Sequence, residues 1–213
     1  MQTDDLIRSL AMDLKPVPAH AVERRMAIGL GGGAIVSLIW IAFTIGFRPD
    51  LGIAVHGFVF WMKAIYTLSI GLCAVAATIH LSRPDALRPR WLWALAIPIA
   101  GLMLIAGLEL SNTPTSGWLA LFLGKSWRSC PWRVFDLSIP LYIGLLWAFR
   151  QFAPARPGLA GAVAGLAAGG LAATLYCLHC PEASALFVLT WYTLGIVLAG
   201  TMGSIIGAKL LRW

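Results

Sequence analysis

Six long apolar stretches limit what this chain can fold into more than any motif does: residues 26–46, 57–80, 91–111, 134–149, 158–178 and 185–208. A helix needs roughly 20 mostly apolar residues to cross about 30 Å of hydrocarbon. No apolar–polar alternation competes with these runs, so strands are not expected. Composition agrees. Hydrophobic residues make up 59% of the 213 and charged residues 12%, against about 45–50% and about 25% in soluble domains. So little charge cannot cover a water-facing surface, which excludes a soluble globular enzyme, a disordered chain, a collagen and a disulfide-stapled mini-protein. The expected fold class is all-α: a polytopic membrane helical bundle of six transmembrane helices (residues 26–213) behind an N-terminal segment (residues 1–25). That segment is not a signal peptide, because Asp4 and Asp5 come first and no small-residue cleavage site follows a short apolar core.

The net charge of +7 is unevenly spread. Eleven basic residues flank one side of the six stretches: Arg8, Lys15, Arg24, Arg25, Arg83, Arg88, Arg90, Arg150, Arg156, Lys209 and Arg212. Five fall on the other: Arg48, Lys63, Lys125, Arg128 and Arg133. Basic residues hold cytoplasmic loops, so both termini are expected in the cytoplasm, and the basic balance implies no direct nucleic-acid partner.

Small residues recur at four-residue spacing: Gly29, Gly33 and Ser37; Gly161, Gly165 and Gly169; Gly195, Ala199, Gly203 and Gly207. Such stripes let helix backbones approach closely. The fifth and sixth spans, joined by a short loop, are expected to pack as a hairpin, with a homodimer seam as the alternative use. Gly31-Gly32-Gly33 is not a phosphate loop, having no strand before it and no Lys-Ser/Thr after it.

Residues 3–15 read as a short amphipathic helix. Thr3 or Asp4 can cap it, Asp4 and Asp5 suit its positive end, and Pro16 stops it. Leu6, Ile7, Leu10 and Leu14 share one stripe. About twelve residues are marginal as an isolated helix in water, so the stripe needs a surface. It can lie on the lipid bilayer or dock into a partner's groove.

Cys73 lies inside the second span and reads as a small buried hydrophobe. Cys130, Cys177 and Cys180 gather on the face opposite the termini, Cys130 in the loop before the fourth span. In an oxidising compartment such thiols pair or have a specific use. Cys130 with Cys180, or Cys177 with Cys180, are the bridges that fit. A metal site using Cys130, Cys180 and His179 competes, though one CxxC does not complete a zinc knuckle. Glu109 and Asp136, near outer span ends, are expected to reach the interface or pair with Lys63 or Arg133.

Several short motifs in order carry a family resemblance. They are Thr3-Asp4-Asp5-Leu6-Ile7, Arg48-Pro49-Asp50-Leu51, Phe60-Trp61-Met62-Lys63, Arg83-Pro84, Cys130-Pro131, Ala153-Pro154, His179-Cys180-Pro181-Glu182, Trp191-Tyr192 and Leu211-Arg212-Trp213. With these the chain resembles the NrsF-type membrane anti-sigma factors, negative regulators of the extracytoplasmic-function sigma factor called sigma F. The resemblance implies a multi-pass protein of the bacterial inner membrane that holds its sigma factor at the cytoplasmic face. With such a partner, the stripe of Leu6, Ile7, Leu10 and Leu14 in residues 1–25 is expected to be the face that docks into the sigma factor. The resemblance implies release on heavy-metal or oxidative stress through two outward cysteines, which by position are Cys130 and Cys180, with Cys177 as an extra. No enzyme activity and no resident cofactor are implied, beyond transient heavy-metal binding at the cysteines. The competing enzyme reading is a membrane thiol oxidoreductase working with a quinone, but electron relay wants two cysteine pairs and only three outward cysteines exist. A metal transporter would want a mid-membrane ladder of carboxylates or histidines, which is lacking.

Overall fold

Every element follows from the apolar runs and from the residues that interrupt them. A computed structural model describes residues 20–81, 91–149 and 156–211. The stripe of Leu6, Ile7, Leu10 and Leu14, and the Arg83–Arg90 loop, lie outside the described residues. Helix α1 (Ala21–Trp40) widens into a π-helical turn, Ile41–Ile45, and ends at Gly46, whose φ of 73° lets the chain turn away. A short α2 (Leu51–Ala54) precedes α3 (Phe58–Leu81). Then come α4 (Trp91–Ala94), α5 (Ala96–Ser111) and a short α6 (Trp118–Leu123). Helices α7 (Cys130–Phe149) and α8 (Pro157–Tyr176) follow. The last long helix starts as α9 (Ala185–Phe187), passes through a π-helical turn, Val188–Tyr192, and continues as α10 (Thr193–Leu210).

Five of these stretches are long and apolar enough to cross a membrane: Glu23–Ile45, Phe58–Leu81, Cys130–Phe149, Pro157–Tyr176 and Ala185–Leu210. The expected third span, residues 91–111, is instead broken at Leu95 and leaves a 16-residue helix. Pro98 explains the break. It has no N–H for the Ala94 carbonyl, and its ring crowds that oxygen. The stretch expected over 134–149 begins earlier, so Cys130 is not in a loop but is the first residue of a 20-residue helix.

The small-residue stripes are spent inside the chain. Gly29 of α1 meets Gly144 of α7 backbone to backbone, and Gly33 faces Leu141 and Pro140. Gly161 and Gly165 of α8 lie against Gly203, Gly207, Ala199 and Gly200 of α10, giving the expected hairpin. A methyl group on Gly161 would sit 2.7 Å from the Gly207 Cα, so contact here requires hydrogen at that position. The faces proposed for a homodimer seam are therefore already occupied by the protein's own helices. Buried polar groups tie the same crossings. Ser37 Oγ donates to the Leu137 carbonyl at 2.9 Å and Tyr142 Oη to the Gly203 carbonyl at 2.9 Å. The Thr174 hydroxyl bonds the Thr67 hydroxyl at 3.0 Å, joining α8 to α3.

Gly161→Leu is expected to destabilise the protein by about 1–3 kcal/mol or more, because backbone rather than a flexible side chain must give way. Gly32→Leu, where an added Cβ would meet no protein atom within 4 Å, is the matched control. Thermal unfolding in detergent, compared between the two variants, checks this.

Candidate functional site

The segment 177–184, which joins α8 to α9, is gripped by every long helix. From the end of α1, Arg48 N–H donates to the Leu178 carbonyl at 3.1 Å. The Gly46 carbonyl lies 2.8 Å from His179 Nδ1. A carbonyl oxygen can only accept, so Nδ1 carries the proton, and Nε2 accepts from Arg133 Nη1 of α7 at 2.7 Å. From α3, Lys63 Nζ donates to the carbonyls of Cys180 at 2.9 Å and Glu182 at 2.8 Å. From α5, Glu109 Oε2 accepts from Ser184 Oγ at 3.0 Å and from Leu186 N–H at 3.1 Å. Ser184 Oγ in turn caps α9 through Phe187 N–H at 3.3 Å.

The turn before α7 closes over the same segment. Glu182 Oε1 accepts from Lys125 N–H at 2.8 Å, Ser126 N–H at 3.0 Å and Ser126 Oγ at 3.0 Å. Gly124 makes this turn possible. Its φ is 53°, and an added methyl would come within 2.7 Å of both Glu182 Oε2 and the Phe187 ring. The Arg48 guanidinium clamps Asp50 with bonds of 2.7 and 2.6 Å, which sets the turn leading away from α1.

These ties bring Cys130 and Cys180 together. Both side chains are fully buried free thiols, and they lie close enough to interact electrostatically. Ser126 Oγ stands 4.0 Å from the Cys180 sulfur. The neighbouring Cys130 thiol, the Glu182 backbone and, least of these, the Lys63 charge hold the Cys180 thiol below its ordinary range, and burial opposes them. Cys177 is also buried, but its sulfur bonds back to the Ala173 carbonyl of its own helix at 3.3 Å. Around the sulfurs stand Tyr176 and Tyr192, with ring centres 5.6 Å apart and both hydroxyls buried without a hydrogen-bond partner.

Of the residues expected to act here, Cys130 and Cys180 meet. His179 is adjacent in sequence but spends both ring nitrogens on Gly46 and Arg133. Among the described residues no three His, Cys, Asp or Glu side chains are grouped to hold a metal ion. Beside Cys130 and Cys180, His179 turns both ring nitrogens to other partners. Glu109 and Arg133 do not make the expected ion pairs, since one binds the start of α9 and the other binds His179. Asp136 is exposed on α7. Cys73 lines an apolar cleft between α3 and α5, away from the pair. The burial of Lys63 and the anchoring role of Glu182 were missed. Lys63 is the one Lys, Arg, Asp or Glu in residues 57–80, and a lone charge in an apolar run already asks for a buried partner.

Residues 10–213 match the model of a family described as negative regulator of sigma F, NrsF. The chain is 42% identical over 215 residues to the anti-sigma-F factor NrsF of Caulobacter vibrioides, and the alignment spans all of both proteins. It is 37% identical over 214 residues to the probable anti-sigma-F factor NrsF of Azospira oryzae, again over the whole of both. No solved structure matches it.

Proposed function

Because the chain belongs to the NrsF family of negative regulators of sigma F, we propose that it is a membrane-bound anti-sigma factor for an extracytoplasmic-function sigma factor. It holds the sigma factor at the cytoplasmic face of the bacterial inner membrane, through the stripe of Leu6, Ile7, Leu10 and Leu14. It releases the sigma factor when heavy-metal or oxidative stress reaches Cys130 and Cys180 on the outer face. The observation that carries this reading is the meeting of two thiols, 50 positions apart in the chain, within a segment bonded to every long helix. A chemical event at that pair acts on the whole bundle, including α1, which leads directly from the sigma-binding segment.

The same geometry supports six crossings with both termini inside. The cysteine end of the bundle holds the end of α1, the start of α3, the end of α5, the start of α7 and the end of α8. Since α3 starts and α7 starts at this end, the chain must return between them. The α4–α5 stretch makes that return despite its break at Leu95.

The test is fractionation. An extracytoplasmic-function sigma factor is expected to sediment with membranes from unstressed cells carrying the full chain. It should be soluble when residues 1–25 are removed from a protein that still reaches the membrane. A sigma factor that is soluble in both strains counts against the reading.

A further inference from the structure

We propose that Lys63 is the positioning residue that makes Cys180 the reactive sulfur of the thiol pair, so that a soft electrophile is met by Cys180 before Cys130. This rests on the reading of the pair as the sensor, and it adds a residue that reading does not contain.

Lys63 is the anomaly of the fold. Its side chain is completely buried. Lysine is almost never fully buried unless paired, yet among the described residues no carboxylate forms an ion pair with it. The nearest acidic side chain of the segment, Glu182, turns its carboxylate to the amides of Lys125 and Ser126 and offers Lys63 only its backbone carbonyl. Two of the three ammonium hydrogens are thus spent on the carbonyls of Cys180 and Glu182. This fixes the positive charge at the backbone of Cys180.

The two sulfurs are therefore not equivalent. Cys180 has the cation bonded to its own carbonyl and to that of Glu182, whereas Lys63 makes no bond to Cys130. The thiolate is the nucleophile in cysteine chemistry, and a fixed neighbouring cation favours it. A purely mechanical role for Lys63, pinning the segment through two carbonyls, makes the opposite prediction. Losing the pin would loosen the loop and expose both sulfurs, so both would react faster.

Iodoacetamide separates the two. The attacking sulfur forms a carbon–sulfur bond, the carbon–iodine bond breaks, and iodide leaves with the bonding pair. Purified full-length protein in detergent is treated with limiting reagent at neutral pH, and each cysteine is followed by peptide mass. Cys180 in the native chain is expected to react at least about tenfold faster than Cys130 or Cys177, the ratio that one unit of thiol acidity gives. Lys63→Met should slow Cys180 by about tenfold while leaving Cys130 little changed, and Lys63→Arg should keep most of the native rate. Equal or faster reaction of Cys130 in the native chain overturns the proposal, as does faster reaction of both sulfurs in Lys63→Met. If Lys63→Met fails to accumulate, the native ratio and the Lys63→Arg rate decide. No sigma factor is present in this assay. A selective Cys180 alongside a normal stress response in cells lacking both cysteines would sink the sensor reading and leave this assignment standing.

Discussion

Leu10→Asp is expected to free the sigma factor and switch on its genes in cells under no stress. Leu10 is the middle of the stripe Leu6, Ile7, Leu10 and Leu14, and a helix that docks in a groove does so through anchors at this spacing. Truncating a well-buried leucine at the centre of such a contact costs roughly 2 kcal/mol or more, which is over tenfold in affinity. Aspartate also places a charge in a site with no partner for it, so the loss exceeds that of Leu10→Ala. Arg8→Ala, on the opposite face, is expected to repress normally. Reporter output from a sigma-dependent promoter checks this, with membrane levels of each variant measured alongside. Normal repression by a stably expressed Leu10→Asp protein would show that the stripe rests on lipid instead.

Replacing Cys130 and Cys180 by Ser, singly and together, is expected to abolish the response to cadmium, chromate and peroxide while the protein stays in the membrane. The energetic argument concerns coupling. An outward event shifts the bundle between a holding and a releasing state only by its differential free energy for the two. Turning over a 99:1 equilibrium takes about 5.5 kcal/mol. A cross-link that closes a loop of this length supplies about 3–4 kcal/mol by itself, so several ties must move with it. The structure provides them: Lys63 on α3, the Gly46–His179–Arg133 relay between α1 and α7, and Glu109 on α5 all bond the segment that carries Cys180. Serine keeps the shape and hydrogen bonding of the pair but not its softness. The three variants should therefore fold and repress yet stay silent under stress. Cys177→Ser, whose sulfur bonds its own helix, is expected to respond as the native chain does. A full response from the double variant would remove the pair from the sensor and direct attention to Cys177.

Much of this was legible in the residues because it depends on local order along the chain. A run of twenty apolar residues becomes a buried helix whatever surrounds it, so the long helices fall close to their expected bounds. The Gly161, Gly165 and Gly169 stripe likewise announces a close helix contact, since the absence of side chains at a regular spacing is itself a surface. The stretch 91–111 is the exception, because Pro98 was passed over. A proline three residues past Leu95 breaks the backbone ladder by its own covalent structure, and the interrupted helix before Glu109 follows from it.

The partners of the polar groups lay beyond such reasoning. Glu109 and Asp136 were expected to reach the interface or to pair with Lys63 or Arg133. Lys63, Glu109 and Arg133 instead found backbone groups, a hydroxyl or a ring nitrogen at or beside the segment 177–184, and Glu182 of that segment found the amides of Lys125 and Ser126. A charge in an apolar run must be satisfied, but which of several acceptors satisfies it depends on where separate helices end in space. The choice between Cys130 and Cys177 as the neighbour of Cys180 has the same origin. Cys177 is three residues from Cys180, yet the helix end directs its sulfur back to Ala173. Cys130, 50 residues away, is carried to Cys180 by the Gly124 turn and the grip of Glu182 on Ser126. Sequence order sets which segments are helical, and the packing of those helices sets which side chains share a site.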